Sequence, residues 1–348
     1  MTLPGIDQKF LVEFLTSLLN TMSPTGFAEM GIDLTRRTLA AFPELTLQLT
    51  HKGALLAALP GQSQDKPRAL TAHVDTLGAM VKEIKFNGRL KLTQLGGYSW
   101  NVIEGEGCTV CTINGKQIRG SILLEKASAH VFGAEVSETR RDEKSIEVRL
   151  DIRTSSPEET QAAGIQVGDF VCFDPRVEVV NGFIRSRHLD DKACVAVLVT
   201  AVKALHDVGL KPVQKSYLLI SNYEEVGHGA SAGFPADVTE LLVTDMAAVG
   251  KGQTSDEFHA TLCVKDSHGP YDHSMNQRLR QLAETENIPY QVDIYPYYGS
   301  DGGAFWRAGG DAPEALIGPG VDASHNYERT HLDALVATTQ WVLAYLLN

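Results

Sequence analysis

The chain has 348 residues, 43% of them hydrophobic, which is enough for an extensive core and, on size alone, two domains. Its net charge of −12 works against a nucleic-acid partner, because binding phosphate requires a basic face. No apolar run approaches the roughly 20 residues that span a bilayer, and the first residues lack a basic stretch followed by an apolar segment. No membrane association and a cytoplasmic location are therefore expected.

Residues 8–42 carry helical periodicity: Phe10, Leu11, Phe14, Leu15, Leu18 and Leu19 recur at three- and four-residue steps until Ser23, Pro24, Thr25 and Gly26 interrupt them. Residues 45–59 alternate like two short strands around Lys52 and Gly53, and residues 68–75 read as a buried strand ending in polar groups. From about 77 to 182 the texture changes to short β-like runs (81–88, 108–115, 120–124, 145–152 and 167–173) separated by turn glycines and asparagines. That pattern predicts a small β-barrel or sandwich, residues 77–182, inserted into a discontinuous domain of residues 1–76 and 183–348. Five cysteines, an odd number spread along the chain, argue against a disulfide framework. Cys108 and Cys111 form a lone C-x-x-C with no second pair to complete a zinc site, so packed strand cysteines are expected.

An alanine-rich helix follows over residues 193–208, and strand and helix then alternate. Strands are predicted at 216–221, 241–244, 261–264 and 290–295, and helices at 274–286 and 331–347. This is an α/β pattern, and open α/β sheets collect their ligands just past strand ends.

Polar groups gather at those ends. His73 and Asp75 share one face of an extended segment, because strand side chains alternate, and a carboxylate beside an imidazole is the usual companion of a metal ligand. Glu224 and Glu225 end the strand at 216–221 and point in different directions, so one can hold a metal while the other handles a proton. Asp190 and Asp191 precede the alanine-rich helix, Asp245 ends a buried strand, and His325 precedes the last helix. Imidazole and carboxylate suit zinc-like divalent ions, and the set reads as the scattered ligands of a metal-dependent hydrolase. Each residue also has an inert reading. Asp190 and Asp191 can be helix caps worth about 1 kcal/mol, Glu224 and Glu225 a solvated strand end, Asp245 a turn residue, and His325 and His331 surface histidines. All of those readings must hold together for the chain to lack a site.

The strings AHVDTLG, RHLDDKA, NYEEVGHGA, VTDMA, VKDSHGPYD, GSDGGAFWRAG and ASHNYERTH, in order within residues 15–335, resemble the dinuclear metallo-aminopeptidases of the tetrahedral, dodecamer-forming type. That family includes glutamyl and deblocking aminopeptidases and relatives labelled endoglucanases. The resemblance implies a three-layer α/β/α catalytic domain with a mixed sheet, carrying a small β-barrel domain that serves assembly and access. It implies two divalent metal ions, zinc or cobalt. His73, Asp190 and Asp245 would hold one; Asp190, Glu225 and His325 would hold the other. Asp190 would bridge them, Asp75 would orient His73, and Glu224 would be the general base. His325 is preferred to His331 because it follows residues 320–324, where the family's ligand precedes the last helix.

The resemblance further implies peptide substrates cleaved at the N-terminal bond, and a homo-oligomer between dimer and dodecamer. Three departures stand out: Thr76 where many relatives carry an acidic residue, Lys192 in place of an arginine, and His268 where serine is frequent. None removes a ligand. A two-metal deacylase or carboxypeptidase would share this spacing. An endoglucanase-type glycosidase would need only two carboxyls and leave the histidines and Asp245 unexplained. An inactive metal-binding scaffold would be favoured by a missing ligand, and all are present. Lys251, Arg278 and Arg307 are not placed relative to the site, so the preferred first residue stays open.

Overall fold

A computed structural model describes residues 2–348. The chain forms two compact units, one comprising residues up to Asp75 together with Val177–Asn348, the other Thr76–Arg176. Among the described residues, no helix is long and apolar enough to cross a membrane.

The first unit is built on a mixed sheet of thirteen strands among the described residues. At its centre Gln214–Ser221, Ser63–His73, Glu240–Thr244 and Glu314–Asp322 lie side by side and parallel. Leu55–Leu59 and Thr46–Leu49 extend one edge antiparallel. On the other side Ala260–Asp266 runs antiparallel to Glu314–Asp322, whose end turns into Glu328–His331 and the hairpin Phe183–Ser186 with Glu178–Val180. Parallel strands buried on both faces should read as nearly continuous apolar runs, and the inner stretches at residues 69–72, 218–220, 241–243 and 315–317 do.

Period-two alternation divides their side chains between two cores. Leu70, Ala72, Leu242, Ala315 and Ile317 pack with the helices Gln8–Leu19, Leu189–Asp207 and Leu332–Leu347. Ala69, Leu241, Val243 and Leu316 face the opposite way, toward Phe234 and Phe305. Phe305 lies on the short helix Asp301–Arg307, so helices cover both faces of the sheet. The alanine-rich helix is buried along nearly its whole length because it is sandwiched between the sheet and its neighbours.

Strand register puts the site at one edge. Ser221 pairs with His73, and Val243 pairs with Thr71, so the chain leaves Gln214–Ser221, Ser63–His73 and Glu240–Thr244 at the same carboxyl end. Gly318 makes the neighbouring strand's passage possible: a Cβ there would sit 1.7 Å from the Asp245 carbonyl oxygen.

The second unit is a closed barrel in the order Gly78–Ile84, Leu90–Leu95, Ile146–Leu150, Gln117–Leu124, Gly107–Cys111 and Phe170–Phe173. Val81, Leu92, Val110, Ile122, Val148 and Val171 fill it. Cys108 and Cys111 are buried in the strand Gly107–Cys111, and all five cysteines are free thiols.

Candidate metal centre

Strand ends and two turns deliver the acidic and imidazole groups. His73 closes Ser63–His73, and Asp245 follows Glu240–Thr244 directly. Glu224 and Glu225 open a single 3-10 turn flanked by left-handed Tyr223 and Gly227, so the chain reverses just past its strand. Asp190 and Asp191 lie in the first turn of Leu189–Asp207 but have non-helical backbone angles, and the peptide between them is cis. His325, itself left-handed with φ +60°, sits in the turn before Glu328–His331.

Two clusters of potential ligands result: His73, Asp190 and Asp245 in one, Asp190, Glu225 and His325 in the other, with ligand atoms in each all within 4.8 Å of one another. Asp190 belongs to both. Its Oδ1 lies 3.0 Å from His73 Nε2 and its Oδ2 lies 3.3 Å from His325 Nε2. Glu225 approaches His325 Nε2 to 3.6 Å. Glu224 belongs to neither cluster, yet its Oε2 is 3.6 Å from His73 Nε2. His331 stays outside, where its Nδ1 accepts from the Asp333 amide and its ring packs on Phe183 and Phe258.

Asp75 does something other than orient the His73 ring through its carboxylate. His73 Nδ1 is 2.8 Å from the Asp75 main-chain oxygen, whereas the nearest carboxylate oxygen is 3.7 Å away. A carbonyl can only accept, so Nδ1 carries a proton, while Nε2 points at Asp190 and gives up its own proton when it serves as a metal ligand. The Asp75 carboxylate instead accepts from the Thr25 hydroxyl at 2.6 Å and from the Glu224 and Glu225 amides at 3.2 and 3.4 Å. Strand pairing explains the shift. It continues through Val74, which donates to the Ser221 carbonyl, and so sets Asp75 beside the residues that follow Ser221.

The donor set fits divalent cations. Asp190, Asp191, Glu224, Glu225 and Asp245 crowd together, and among the described residues no lysine or arginine forms an ion pair with any of them. Burial, reinforced by neighbouring acids, pushes Asp191, Glu224 and Asp245 well above the ordinary carboxylate range and Glu225 up to about 8. For Asp190 burial acts in the same direction, but hydrogen bonds from His325 and His73 outweigh it and hold the carboxyl low. Burial would lower His73 too, yet Asp190 and Glu224 raise it well above the usual imidazole value. Buried Oε1 of Glu225 and Oδ1 of Asp191 have no hydrogen-bond partner. So much uncompensated carboxylate in a desolvated place is unfavourable, and oxygen-nitrogen cages of this kind are what divalent metals neutralise.

A cavity of about 380 Å³ opens onto this cage. Glu224, Glu225, Asp245 and His325 line one part of it; His268, Tyr298 and Arg307 line another. Sequence reasoning missed the supports around it. Buried Asp301 accepts from the Thr71 and Ser221 hydroxyls at 2.7 and 2.6 Å and from the Ala230 amide at 2.7 Å, tying two strand ends to the loop after Glu225. Gly229 leaves room for that carboxylate, since a Cβ there would lie 1.8 Å from Asp301 Oδ1. Lys52 grips the same loop from outside through the Gly229 carbonyl and the Ser231 hydroxyl. The sequence signals for Asp301 were its place in a glycine-rich turn and in the string GSDGGAFWRAG, neither of which carries information about burial or partners.

A mixed α/β sheet with a histidine-carboxylate cage at its carboxyl edge fits a metallohydrolase. Residues 53–340 match the M42 glutamyl aminopeptidase family. The chain is 44% identical over 336 residues to the putative aminopeptidase YhfE of Bacillus subtilis, with 96% of each chain covered. Aminopeptidase APDkam598 from the archaeon Desulfurococcus kamchatkensis shares the fold with a TM-score of 0.88 at 21% identity, over 97% of this chain and 95% of that one. The TET1 peptidase of Pyrococcus horikoshii, which can assemble into a tetrahedron or a large octahedral shell, shares it with a TM-score of 0.85 at 21% identity, over 97% and 99%. The chain belongs to the M42 glutamyl aminopeptidase family. It is accordingly a metal-dependent aminopeptidase.

Proposed function

We propose that the protein removes N-terminal residues from peptides with two divalent cations, zinc or cobalt, one held by His73, Asp190 and Asp245 and the other by Asp190, Glu225 and His325. The observation that carries this reading is the division of Asp190, whose two oxygens face two different imidazoles at 3.0 and 3.3 Å. Such a pair of ions, when bound, acidifies a water and polarises the scissile carbonyl. Glu224 is the residue that takes the water's proton and passes it to the leaving amine, because it borders the cage without being committed to either cluster. Asp75 keeps Glu224 in place by holding its amide. Carboxylates on the cavity wall favour the ammonium group of a free chain end, which restricts cleavage to that end. Incubation with a strong chelator is expected to abolish hydrolysis of aminoacyl anilides, and added zinc or cobalt to restore it. Activity that survives complete metal removal would contradict the reading.

Of the three cations that the sequence left unplaced, Arg278 is paired with Glu240 at 2.7 Å and Lys251 lies in an exposed turn after Ala247–Val249. Arg307 alone lines the cavity, and it makes no ion pair with any described residue. We expect acidic first residues to be cleaved faster than lysine. Arg307→Ala should lower kcat/KM for a glutamyl substrate by about fivefold, the scale of an exposed charge pair, while leaving a leucyl substrate unchanged. Equal losses on both would remove Arg307 from specificity.

The likeness to assemblies such as the TET1 peptidase supports a homo-oligomer for this chain too, between dimer and dodecamer, with the barrel unit serving assembly and access. Its proposed location is the cytoplasm.

A further inference from the structure

Glu328 is fully buried and contributes no atom to either ligand cluster. Its two carboxylate oxygens nevertheless serve both ends of the second cluster. Oε2 accepts from the Asp190 amide at 3.1 Å, and Oε1 accepts from the His325 amide at 3.0 Å. Its own place is set by the sheet, where Glu328 pairs with Ser186 in the ladder between Glu328–His331 and Phe183–Ser186. One side chain thus spans the two segments that must meet for Asp190 and His325 to share a cation.

Both segments are unusual in backbone geometry. Asp190 has non-helical angles inside the first turn of its helix, and His325 and Ala323 are left-handed non-glycine residues. Side-chain-bearing residues rarely hold that conformation unless their surroundings impose it. A buried acceptor on the His325 amide is such a constraint. The first cluster is supported by other groups: the His73 amide donates to Asp191 Oδ2 at 3.2 Å, and the Asp245 amide donates to the Ile317 carbonyl at 3.2 Å. Glu328 therefore holds the backbones of two of the second cluster's three ligands and touches the first only through the shared Asp190.

We infer that Glu328 is a positioning residue for the second cation site, fixing Asp190 and His325 relative to each other through their backbones. The inference rests on the two-cation reading above. A carboxamide offers one acceptor where the carboxylate offers two, so Glu328→Gln must face one of the two amide donors with its own NH₂ group. Loss of an outer partner of this kind typically weakens metal binding by about 10- to 100-fold.

The test is a Zn²⁺ titration of metal-stripped full-length protein against a chelating dye. Wild type should take up two equivalents. E328Q should bind the second cation about 10- to 100-fold more weakly, with a smaller loss at the first, which Glu328 reaches only through the shared Asp190. E328Q with both affinities unchanged, or with both weakened equally, would overturn the assignment. A wild type that binds fewer than two equivalents would instead sink the two-cation reading itself. H325A, which removes a second-cluster ligand, provides the independent arm should E328Q fold poorly: E328D, tested alone and on the H325A background, should cost more affinity where His325 is present, because coupled residues are non-additive. An equal E328D loss on both backgrounds would also refute the role.

Discussion

Glu224→Gln is expected to retain its bound metal and lose about 10²- to 10⁴-fold in kcat, the usual contribution of a positioned general base. The substitution preserves shape and removes only the ability to take a proton. Because Glu224 lies outside both ligand clusters, metal content per chain should stay at the wild-type level. Its amide bond to Asp75 is a backbone contact and should survive, so KM should move little. Steady-state kinetics on a metal-analysed sample checks both halves. Near-normal turnover would assign the proton transfer elsewhere, and loss of metal would make Glu224 a ligand.

Asp190→Ala should have the largest effect of any single change. One substitution takes a donor from both clusters, so both cations should be lost and hydrolysis should fall to background, at least about 10⁴-fold by the scale of removing a metal-activated water. The contrast lies in Asp245→Ala and His325→Ala, each of which removes a ligand from one cluster only. Those variants should keep one cation. Metal analysis of the three proteins after dialysis distinguishes a shared aspartate from two unconnected sites.

How much of this was readable beforehand depended on whether the signal was local. The strand ending at His73 and the one before Glu224 announced themselves as apolar runs closing in polar residues, and both form, as Ser63–His73 and Gln214–Ser221. The barrel's short strands were legible from turn glycines, although Leu90–Leu95, whose lysine and glutamine dilute the alternation, was not. Glu314–Asp322 escaped notice although it belongs to the parallel centre of the sheet. Its Gly318, Pro319 and Gly320 interrupt the apolar run, and there the glycines admit the backbones of Asp245 and Asp256 at distances no side chain would allow. That requirement is set by residues distant in sequence.

The candidate ligands were legible because imidazole and carboxylate at strand ends have few other uses, and the resemblance supplied their grouping. The supporting roles were not legible: Asp191 was named only beside Asp190, and Asp301 and Glu328 were not singled out. Asp191 and Asp301 act by accepting hydrogen bonds from backbone or hydroxyl groups more than 70 residues away, as with Asp301 and the Ala230 amide, 71 apart, and Glu328 joins one such distant amide, Asp190, to the nearby His325 amide. Nothing in a local string reveals such a partner. Asp75 shows the same limit from the other side. Its spacing from His73 suggested a carboxylate-imidazole contact, whereas strand pairing beyond Val74 turns the carboxylate to Glu224 and Glu225.

The most direct test is a crystal structure of the metal-loaded enzyme with anomalous scattering recorded at the metal edge. Two peaks per chain are expected, one beside His73 and Asp245 and one beside Glu225 and His325, with an Asp190 oxygen on each. A single peak, or two peaks of which Asp190 touches only one, would contradict the shared-aspartate site.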